Sequence, residues 1–254
     1  MIDMHSHILW DVDDGPSTLE ETLELLESAV NEGISQIIST SHFNHPYYHA
    51  NYDVINNQIN ILQQIIIANN IPLTIHSGHE VRLSDNIISN YHSKKIHTLA
   101  NSNYLLLELP TETVPFYTEF VLNDLLKEGI TPIIAHPERN RAIADQPQKL
   151  TKLIRCGALA QITAGSLAGH FGKNIQNLSL DLVKANLIHT YGSDVHNVTS
   201  RPFLFEQGLL YLEKKKLLDI VDIMVENNKR IIENRFLIVP EPQEIEYSKW
   251  WKIY

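Results

Sequence analysis

Histidines and carboxylates recur along this chain directly after short apolar segments that are typical of β-strands. Imidazole and carboxylate, without thiolate, are ligand types that borderline divalent metals accept. If the strands are parallel and curl into a barrel, their carboxyl ends meet at one mouth, and side chains far apart in sequence become neighbours. We therefore expect one polynuclear metal site with hydrolytic chemistry. The predicted ligands are His5, His7, Asp14, His42, Glu80, Glu108, His136, Asp194 and His196.

Two pairs of these residues have the spacing of alternate positions. His5 and His7 follow the first apolar segment, and Asp194 and His196 follow the last one. Alternate residues on an extended strand point to the same side, so each pair can hold one ion. A single pair is a weak signal, and its position after a predicted strand gives it weight.

The segment Asp11–Pro16 offers a third source of carboxylates near the N-terminus. Its sequence is typical of a turn that leads into a helix. The same segment would also lie at the predicted barrel mouth. Asp14 is the expected ligand, and Asp13 remains the alternative.

Three further positions leave a choice between a ligand and a structural residue. His42 ends the second apolar segment, where a buried, hydrogen-bonded histidine is the ordinary alternative. Glu80 follows the third segment and can bridge two ions with its two oxygens, whereas strand alternation places its competitor His79 on the opposite side. Glu108 closes an apolar run, where a carboxylate is costly unless it is paired or bound to metal.

Two arginines follow predicted ligands closely. Arg139 comes shortly after His136, and Arg201 comes shortly after His196. A guanidinium presents a planar fork that suits phosphate oxygens. We expect Arg139 and Arg201 to be catalytic residues that hold phosphate. If a general acid takes part, His42 or a metal-bound water is the candidate.

The chain has 13 histidines, more than the predicted site needs. Four of the others occur in polar or loop-like sequence, and we expect them at the surface. They are His45, His49, His92 and His97.

Seven apolar, β-rich runs alternate with helical patterns at intervals of roughly 30 residues, which indicates βαβ units and a parallel sheet. Seven units are one fewer than in the usual eight-stranded barrel. We predict a distorted TIM-like (β/α)7 barrel rather than an open doubly wound sheet. The runs lie near Ile2–Met4, Ile34–Ser39, Leu73–His76, Tyr104–Leu109, Thr131–Ala135, Leu159–Ile162 and Leu187–Thr190.

The first helix has both start and stop signals. Ser17 with Glu20 predicts a capping box, and Gly33 predicts the end of the helix. Its expected buried face comprises Leu19, Leu23, Leu26 and Val30. A weaker apolar pattern later in the chain comprises Phe116, Phe120 and Leu125.

Length and composition fit an ordinary folded globule, with 254 residues and 43% hydrophobic content. The formal net charge of −10 argues against general nucleic-acid binding, which needs a basic surface. Bound metal ions would still attract an anionic substrate to the pocket. No apolar run approaches the roughly 20 residues of a membrane span, and no signal peptide is visible. We therefore expect a cytoplasmic protein without membrane insertion.

The sequence lacks the residues that other catalytic mechanisms would require. The single cysteine, Cys156, excludes an internal disulfide, and Ile162 stands where a cysteine-dependent phosphatase would need an arginine. No G-x-S-x-G, Walker or G-x-G-x-x-G motif is present in the sequence.

We expect a single barrel domain over residues 1–237, followed by a tail over residues 238–254. The tail contains Trp250, Trp251 and Tyr254. These large side chains either fold back onto the barrel helices or contact another subunit or a partner protein.

Taken together, the motifs resemble the four-motif pattern of the polymerase-and-histidinol-phosphatase (PHP) superfamily. More closely, the chain resembles the manganese-dependent protein-tyrosine phosphatases encoded in capsule and exopolysaccharide loci of Gram-positive bacteria. The resemblance extends from Met1 to about Leu237. It is carried by His5-Ser6-His7, Asp13-Asp14-Gly15, Ser41-His42, Glu80, Glu108, Ala135-His136-Pro137-Glu138-Arg139 and Ser193-Asp194-Val195-His196-Asn197.

This resemblance implies a PHP-type barrel with three divalent metal ions. Manganese is expected, and iron or zinc would suit the same ligand types. By position, the first ion would take His5, His7, Glu80 and Asp194. The second would share Glu80 and take Glu108 and His136. The third would take Asp14, His42 and His196.

The same resemblance implies an activity and a partner. The enzyme would hydrolyse phosphotyrosine in the C-terminal tyrosine cluster of a membrane-associated tyrosine kinase, and so regulate capsular or exopolysaccharide synthesis. A small-molecule phosphomonoesterase of the histidinol-phosphatase type is the main alternative. A metal-dependent nuclease, which the acidic charge disfavours, and a non-catalytic binding module are the other two.

Overall fold

The structure, a computed structural model, describes residues 1–245. Strands and helices alternate through most of this range. The strands are β1 (Ile2–Ser6), β2 (Gln36–Ser39), β3 (His42–Phe43), β4 (Thr74–Ser77), β5 (Glu80–Arg82), β6 (Tyr104–Glu108), β7 (Thr131–Ile134), β8 (Leu159–Thr163) and β9 (Thr190–Gly192). The helices are α1 (Leu19–Asn31), α2 (Tyr52–Ala68), α3 (Ile87–His92), α4 (Thr118–Lys127), α5 (Arg141–Asp145), α6 (Gln148–Arg155), α7 (Ala164–Ala168), α8 (Lys173–Lys184), α9 (Phe205–Lys214) and α10 (Leu218–Ile232).

The strands of the described chain form a curled sheet, and each hydrogen-bonded pair of them is parallel. Hydrogen bonds define the order β1-β2-β4 in one part and β3-β5-β6-β7-β8-β9 in the other. The chain just beyond β9 meets β1, because Ser6 bridges to Val195 and His7 N donates to Val195 O over 2.9 Å. The predicted parallel, curled sheet is therefore confirmed, and the carboxyl ends of its strands converge.

Each of the seven predicted apolar runs overlaps a strand, but the second and third are each followed by a further strand that was not predicted. The second run overlaps β2 and precedes β3, and the third overlaps β4 and precedes β5. Gly78 lies between β4 and β5, where a Cβ atom would come within 2.9 Å of Ile38 Cγ2. The close approach of backbone there requires glycine. The last strand was predicted at Leu187–Thr190, but β9 and its pairing with β8 begin only at Thr190, opposite Gln161.

Helix α1 confirms the predicted helix but corrects its start. Thr18, not Ser17, is the N-cap, and its side chain accepts from Glu21 N. Glu21 Oε2 accepts from Ser17 N over 2.6 Å, one residue before the N-cap, so the side-chain caps are present but the reciprocal capping box is not. The buried face is also rotated from the predicted one and comprises Thr22, Leu25, Leu26 and Ala29.

Helix α4 also differs from the pattern that predicted it. Phe116 and Phe120 are 88% and 68% exposed, so neither belongs to the core. Leu125 of the predicted pattern is buried, and Val121 and Leu122 lie with it on the buried face of α4. The prediction of the buried face was wrong at the two phenylalanines, because apolar residue type alone does not determine which side of a helix faces the sheet.

Side chains along each strand alternate between two apolar clusters. In β6, Leu105 and Leu107 join the large cluster between the sheet and its helices. Tyr104 and Leu106 join a smaller cluster on the other face. Because side chains alternate, Glu108 points to the same face as Leu106, at the carboxyl end of the strand. This alternation brings a carboxylate to the mouth of the curled sheet.

The C-terminal part of the described chain packs against the sheet and its helices. Gln243 N donates to Ala185 O over 2.8 Å, and Asn186 Nδ2 donates to Glu241 O over 3.0 Å. The division into a domain over 1–237 and a tail stays a prediction. Trp250, Trp251 and Tyr254 lie outside the described residues. No helix within residues 1–245 is long and apolar enough to cross a membrane.

Candidate metal centre

The structure brings all nine predicted ligand residues together at the carboxyl ends of the strands. Their potential ligand atoms form three groups, and within each group these atoms lie within 4.8 Å of one another. The first group is His5, His7, Glu80 and Asp194, the second is Glu80, Glu108 and His136, and the third is His7, Asp14, His42 and His196. The only difference from the sets implied by the resemblance is that His7 belongs to two groups.

The first group lies deepest, and its four side chains are almost completely buried. His5 Nε2 is 3.5 Å from Glu80 Oε2 and 3.3 Å from Asp194 Oδ1. His7 Nε2 is 3.3 Å from Glu80 Oε2 and 3.4 Å from Asp194 Oδ1. Two imidazoles and two carboxylates thus converge on one point.

Glu80 links the first group to the second. Its Oε2 faces His5 and His7, whereas its Oε1 lies 2.6 Å from His136 Nε2. Glu108 completes the second group. Arg82 Nη1 donates to Glu108 Oε1 over 2.7 Å. The other carboxylate oxygen of Glu108, Oε2, takes no part in this hydrogen bond.

The two aspartates that the sequence left as alternatives differ in their surroundings. Asp14 Oδ1 lies 3.4 Å from His42 Nε2 and 3.2 Å from His196 Nε2, so Asp14 belongs to the third group. Asp13 instead accepts from His7 Nδ1 over 2.9 Å and from His42 N over 3.0 Å. Asp13 therefore holds the ring of His7 and lies outside the three groups.

Three imidazoles are held by their Nδ1 atoms, so that Nε2 faces the cluster. His7 uses Asp13, His5 uses Gln161 Oε1 at 3.1 Å, and His196 uses the Asp194 carbonyl at 2.9 Å. This outer pairing is the usual way in which proteins fix the orientation of metal-binding histidines.

Several buried polar atoms of the cluster lack a hydrogen-bond partner. They are His42 Nδ1, Glu80 Oε2, Glu108 Oε2 and His196 Nε2. Neighbouring ligand atoms approach them, as His42 Nδ1 does Glu80 Oε2 at 3.2 Å, but without hydrogen-bond geometry. Buried charged groups left in this way are costly unless a cation completes them. The donor set of imidazoles and carboxylates fits divalent metal ions.

Two buried carboxylates of the cluster, Glu80 and Asp194, are held in their ionised form. Burial raises the pKa of Asp194, but Arg139 and Arg201 outweigh burial and hold that pKa well below its usual range. Burial likewise raises the pKa of Glu80, but His5, His42 and His136 hold it well below its usual range. Ionised oxygens are the form that binds cations.

Two arginines converge on the same carboxylate oxygen. Arg139 Nη2 lies 2.5 Å from Asp194 Oδ2, and Arg201 Nη2 lies 2.7 Å from it. Arg201 Nη1 also lies 3.4 Å from Asp14 Oδ2. The guanidinium of Arg139 sits over the ring of Phe171, 5.3 Å from the ring centroid. Both arginines line an open cavity of about 430 Å³ above the cluster.

Two cluster residues adopt left-handed backbone conformations that are uncommon outside glycine. His136 has φ 31° and ψ 56°, and Asp194 has φ 56°. Such conformations store strain and occur preferentially at functional sites. Each residue directly follows, or lies close after, a strand of the sheet, where the chain turns its side chain towards the mouth.

The sequence misplaced two of the four histidines expected at the surface. His97 is only 3% exposed and stacks on Tyr52, with ring centroids 3.7 Å apart. His45 is partly buried and lines the cavity. His49 and His92 are exposed as predicted. Loop-like sequence alone does not show that a loop folds over the site.

Three supporting residues were missed by the sequence argument. Arg82 follows Glu80 by two positions on β5, a strand alternation that could have identified it. Gln161 ends the interior face of β8, the one predicted strand that supplies no ligand. Phe171 carried no signal in the sequence.

The cluster and fold have clear relatives among known proteins. A family model described as capsular polysaccharide synthesis, CpsB/CapC, matches residues 1–233. The chain belongs to the CpsB/CapC family.

Individual members of the family match nearly the whole chain. CapC of Staphylococcus aureus is 38% identical over 252 residues, which cover 99% of both chains. YwqE of Bacillus subtilis, named as a tyrosine-protein phosphatase, is 37% identical over 249 residues and 98% of both chains. CpsB of Streptococcus agalactiae, with the same activity in its name, is 31% identical over 243 residues, covering 93% of this chain and all of the relative.

A solved structure also matches. It belongs to a study of YwqE from Bacillus subtilis and CpsB from Streptococcus pneumoniae, which are described there as unique metal-dependent tyrosine phosphatases. It has a TM-score of 0.94 and 37% sequence identity, and the match covers 97% of this chain and 100% of that one.

Proposed function

We propose that this protein is a metal-dependent protein-tyrosine phosphatase. The observation that carries the proposal is a buried cluster of nine imidazole and carboxylate side chains, in three groups, with two arginines at its mouth. Divalent ions held by such a cluster, together with a cationic rim, would supply the positive charge that hydrolysis of a phosphate monoester needs. Relatives named as tyrosine-protein phosphatases at 31–37% identity support the same activity.

Three divalent ions, with manganese expected and iron or zinc as alternatives, would occupy the three groups. The proposed ligands are His5, His7, Asp14, His42, Glu80, Glu108, His136, Asp194 and His196. When bound, the ions supply Lewis-acid activation of water and neutralise phosphate charge. Glu80 would bridge two of the sites, because its two oxygens face different groups.

The chain's own residues orient the substrate. Arg139 and Arg201 share one oxygen of Asp194, which fixes both guanidinium groups at the cavity wall while other N–H donors stay available for phosphate oxygens. Holding the phosphate in one orientation lowers the entropic part of the barrier. Phe171 supports Arg139 from below.

His42 is better placed as a ligand than as a general acid. Its Nδ1 lies 3.2 Å from Glu80 Oε2, and its Nε2 lies 3.4 Å from Asp14 Oδ1. Both ring nitrogens are therefore directed into the cluster. Phenolate is a fairly good leaving group, so its departure does not demand a dedicated acid.

The proposed substrate is the phosphorylated C-terminal tyrosine cluster of a membrane-associated tyrosine kinase, and the proposed role is regulation of capsular or exopolysaccharide synthesis. The family description, which refers to capsular polysaccharide synthesis, supports this context. The acidic net charge of −10 disfavours nucleic acid as the substrate.

The architecture that we propose is a distorted seven-stranded barrel of PHP type, formed by residues 1–237. In this interpretation β2 with β3, and β4 with β5, are each one interrupted strand. The contact between β1 and the segment after β9 would then close the ring.

The decisive experiment is phosphate release by the manganese-loaded protein. A phosphotyrosine peptide and p-nitrophenyl phosphate should be hydrolysed, and the chelated protein should be inactive until manganese is restored. Histidinol phosphate is the comparison substrate. A higher kcat/KM for histidinol phosphate would replace the proposal with a small-molecule phosphatase. Absence of turnover of any ester with a full metal complement would indicate a binding module.

A further inference from the structure

Three aromatic rings lie nearly parallel beside the metal cavity, and two of them, His42 and His45, line it. The ring centroid of His45 is 4.6 Å from that of His42, with 23° between the planes. The Tyr48 ring lies 5.3 Å from His45 at 16°, and 6.1 Å from His42 at 11°. We call His45 and Tyr48 the aromatic platform.

The loop that carries the platform is fixed at its base. Ala50 N donates to His42 O over 2.8 Å and so closes the loop. His79 accepts a backbone hydrogen bond on Nδ1, and its Nε2 donates to Ala50 O over 3.2 Å. Tyr47 N donates to His45 Nδ1 over 3.4 Å. A preorganised surface loses little conformational entropy when a ligand binds to it.

The platform has no part in the three groups of potential metal ligands. Phe171, a further aromatic residue of the cavity wall, instead packs against the guanidinium of Arg139. Both platform residues are partly exposed, and Tyr47 between them in the loop is 85% exposed. His45 spans the two environments, since it lines the cavity and stacks on a proposed ligand.

A phosphate held by Arg139 and Arg201 leaves the organic part of the ester at the mouth of the cavity. For phosphotyrosine that part is a flat ring, and for an alkyl phosphate it is a flexible chain. Offset stacking between rings gains free energy beyond the area that it buries. A ring surface beside the phosphate site therefore favours the aryl ester.

We propose that His45 and Tyr48 bind the aryl ring of the phosphate ester and thereby select aryl over alkyl phosphates. This inference rests on the proposed phosphatase function and names the group that recognises the leaving ring. His45 and Tyr48 are specificity residues in this scheme, and they contact the substrate rather than the reacting oxygens.

The test compares binding of two non-hydrolysable ligands to the manganese-loaded protein by calorimetry. Phenylphosphonate carries the ring, and methylphosphonate carries only the anion. In the double variant His45→Ala/Tyr48→Ala, the Kd of phenylphosphonate should rise on the order of tenfold, whereas that of methylphosphonate should change less than about twofold. The preference for a phosphotyrosine over a phosphoserine peptide in kcat/KM should fall in parallel.

Two further variants separate stacking from other roles. His45→Phe keeps a planar ring without a titratable nitrogen, so it should retain the preference for phenylphosphonate. This variant also serves if the double variant does not fold. Phe236→Ala removes a ring that is 93% exposed and lies outside the cavity lining, and it should change neither Kd.

The possible outcomes are distinct. Equal weakening of both phosphonates in the double variant, with less bound manganese, would overturn the inference and assign the loop to support of His42. An unchanged Kd for phenylphosphonate would overturn it as well. A wild-type protein that holds manganese but neither binds phosphonates nor hydrolyses aryl phosphates would refute the proposed function itself, and the platform with it.

Discussion

The two ends of the curled sheet bury polar side chains in opposite ways. Where the strands begin, Asn227 and Asn228 of α10 are almost fully buried, and both amides are paired. Asn227 accepts from Ile238 N over 2.7 Å and donates to Ile238 O over 2.9 Å. Asn228 accepts from Tyr191 N and donates to Tyr191 O and Ile2 O. Asn228 thus connects α10 to β1 and β9, and Asn227 connects it to the segment that follows the helix.

At the mouth, where the strands end, the buried groups include carboxylates and are incompletely paired. Glu80 Oε2, Glu108 Oε2 and His196 Nε2 are buried without a hydrogen-bond partner among residues 1–245. Unpaired buried atoms occur elsewhere in the described chain, for example the hydroxyl groups of Ser39 and Thr190. Neutral hydroxyl groups cost far less than unpaired carboxylate oxygens.

The paired amides at one end stabilise the fold, whereas the unpaired carboxylates at the other end are available to bind a ligand. A fully paired buried amide contributes stability and specificity. A buried carboxylate with an open oxygen costs stability and is useful only when a cation or substrate completes it. Substitutions at the two ends should therefore have different effects, and four predictions test this.

The largest effect is expected from Glu80→Gln. The amide keeps the shape of the side chain but removes the charge that both groups share. Loss of a ligand should lower kcat/KM by more than roughly 100-fold, since loss of an outer hydrogen-bond partner alone costs about 10- to 100-fold. Elemental analysis should show less metal per chain. Glu112→Gln, at an exposed carboxylate, is the control. Unchanged metal content would exclude the bridging role.

The next effect is expected at the arginines. Arg139→Ala removes hydrogen-bond donors aimed at the phosphate and should lower kcat/KM on the order of 100-fold, with metal content unchanged. Arg201→Lys keeps the charge but loses the planar fork, so its loss should be smaller. Arg141→Ala, at an exposed arginine, should have no effect. Wild-type kcat/KM in either site variant would show that its arginine does not touch the phosphate.

At the opposite end of the sheet, Asn228→Ala should affect stability and leave catalysis intact. It leaves buried backbone groups of Tyr191 and Ile2 without their partner, which should cost about 2 kcal/mol of unfolding free energy. Urea denaturation gives this value, and kcat/KM at 25 °C should match wild type. Asn69→Ala, on the surface, is the matched control. A comparable fall in kcat/KM for folded Asn228→Ala protein would show that the two ends are coupled.

The smallest effect concerns how the free energy of unfolding depends on pH through His189. This histidine is buried near the end of the sheet where the strands begin. Burial lowers the pKa of His189 to about 4 from 6.5. Below pH 6.5 His189 is protonated in the unfolded chain, but in the folded chain it stays neutral down to about pH 4. The free energy of unfolding therefore falls as the pH decreases through this window. Between pH 7.5 and 5.5 this loss should be about 1 kcal/mol.

His189→Asn should remove that part of the acid sensitivity. The asparagine oxygen can replace Nδ1 as the acceptor for Ala160 N. Unfolding free energies at pH 7.5 and 5.5 are compared with those of wild type and of His92→Asn, at an exposed histidine. An equal pH dependence in all three proteins would show that His189 does not contribute.

The sequence by itself determined the types and order of the residues that matter. Each candidate ligand except Asp14 stands at or soon after the end of a predicted strand, and parallel strands bring such ends together whatever the details of the fold. Alternation along strands also predicted that Glu80, not His79, would face the cluster, and the structure has this arrangement. Local rules suffice here because strand direction and side-chain period depend on the backbone alone.

Only the tertiary structure decided how these residues are used. Asp14 and Asp13 are neighbours in sequence, and their different roles depend on the distances to His196 and His7 across the mouth. The burial of His97 and the position of His45 over the cavity follow from the path of loops that sequence describes only as polar. Contacts between distant segments depend on loop paths and strand breaks, and these are set by packing of the whole chain rather than by local preference.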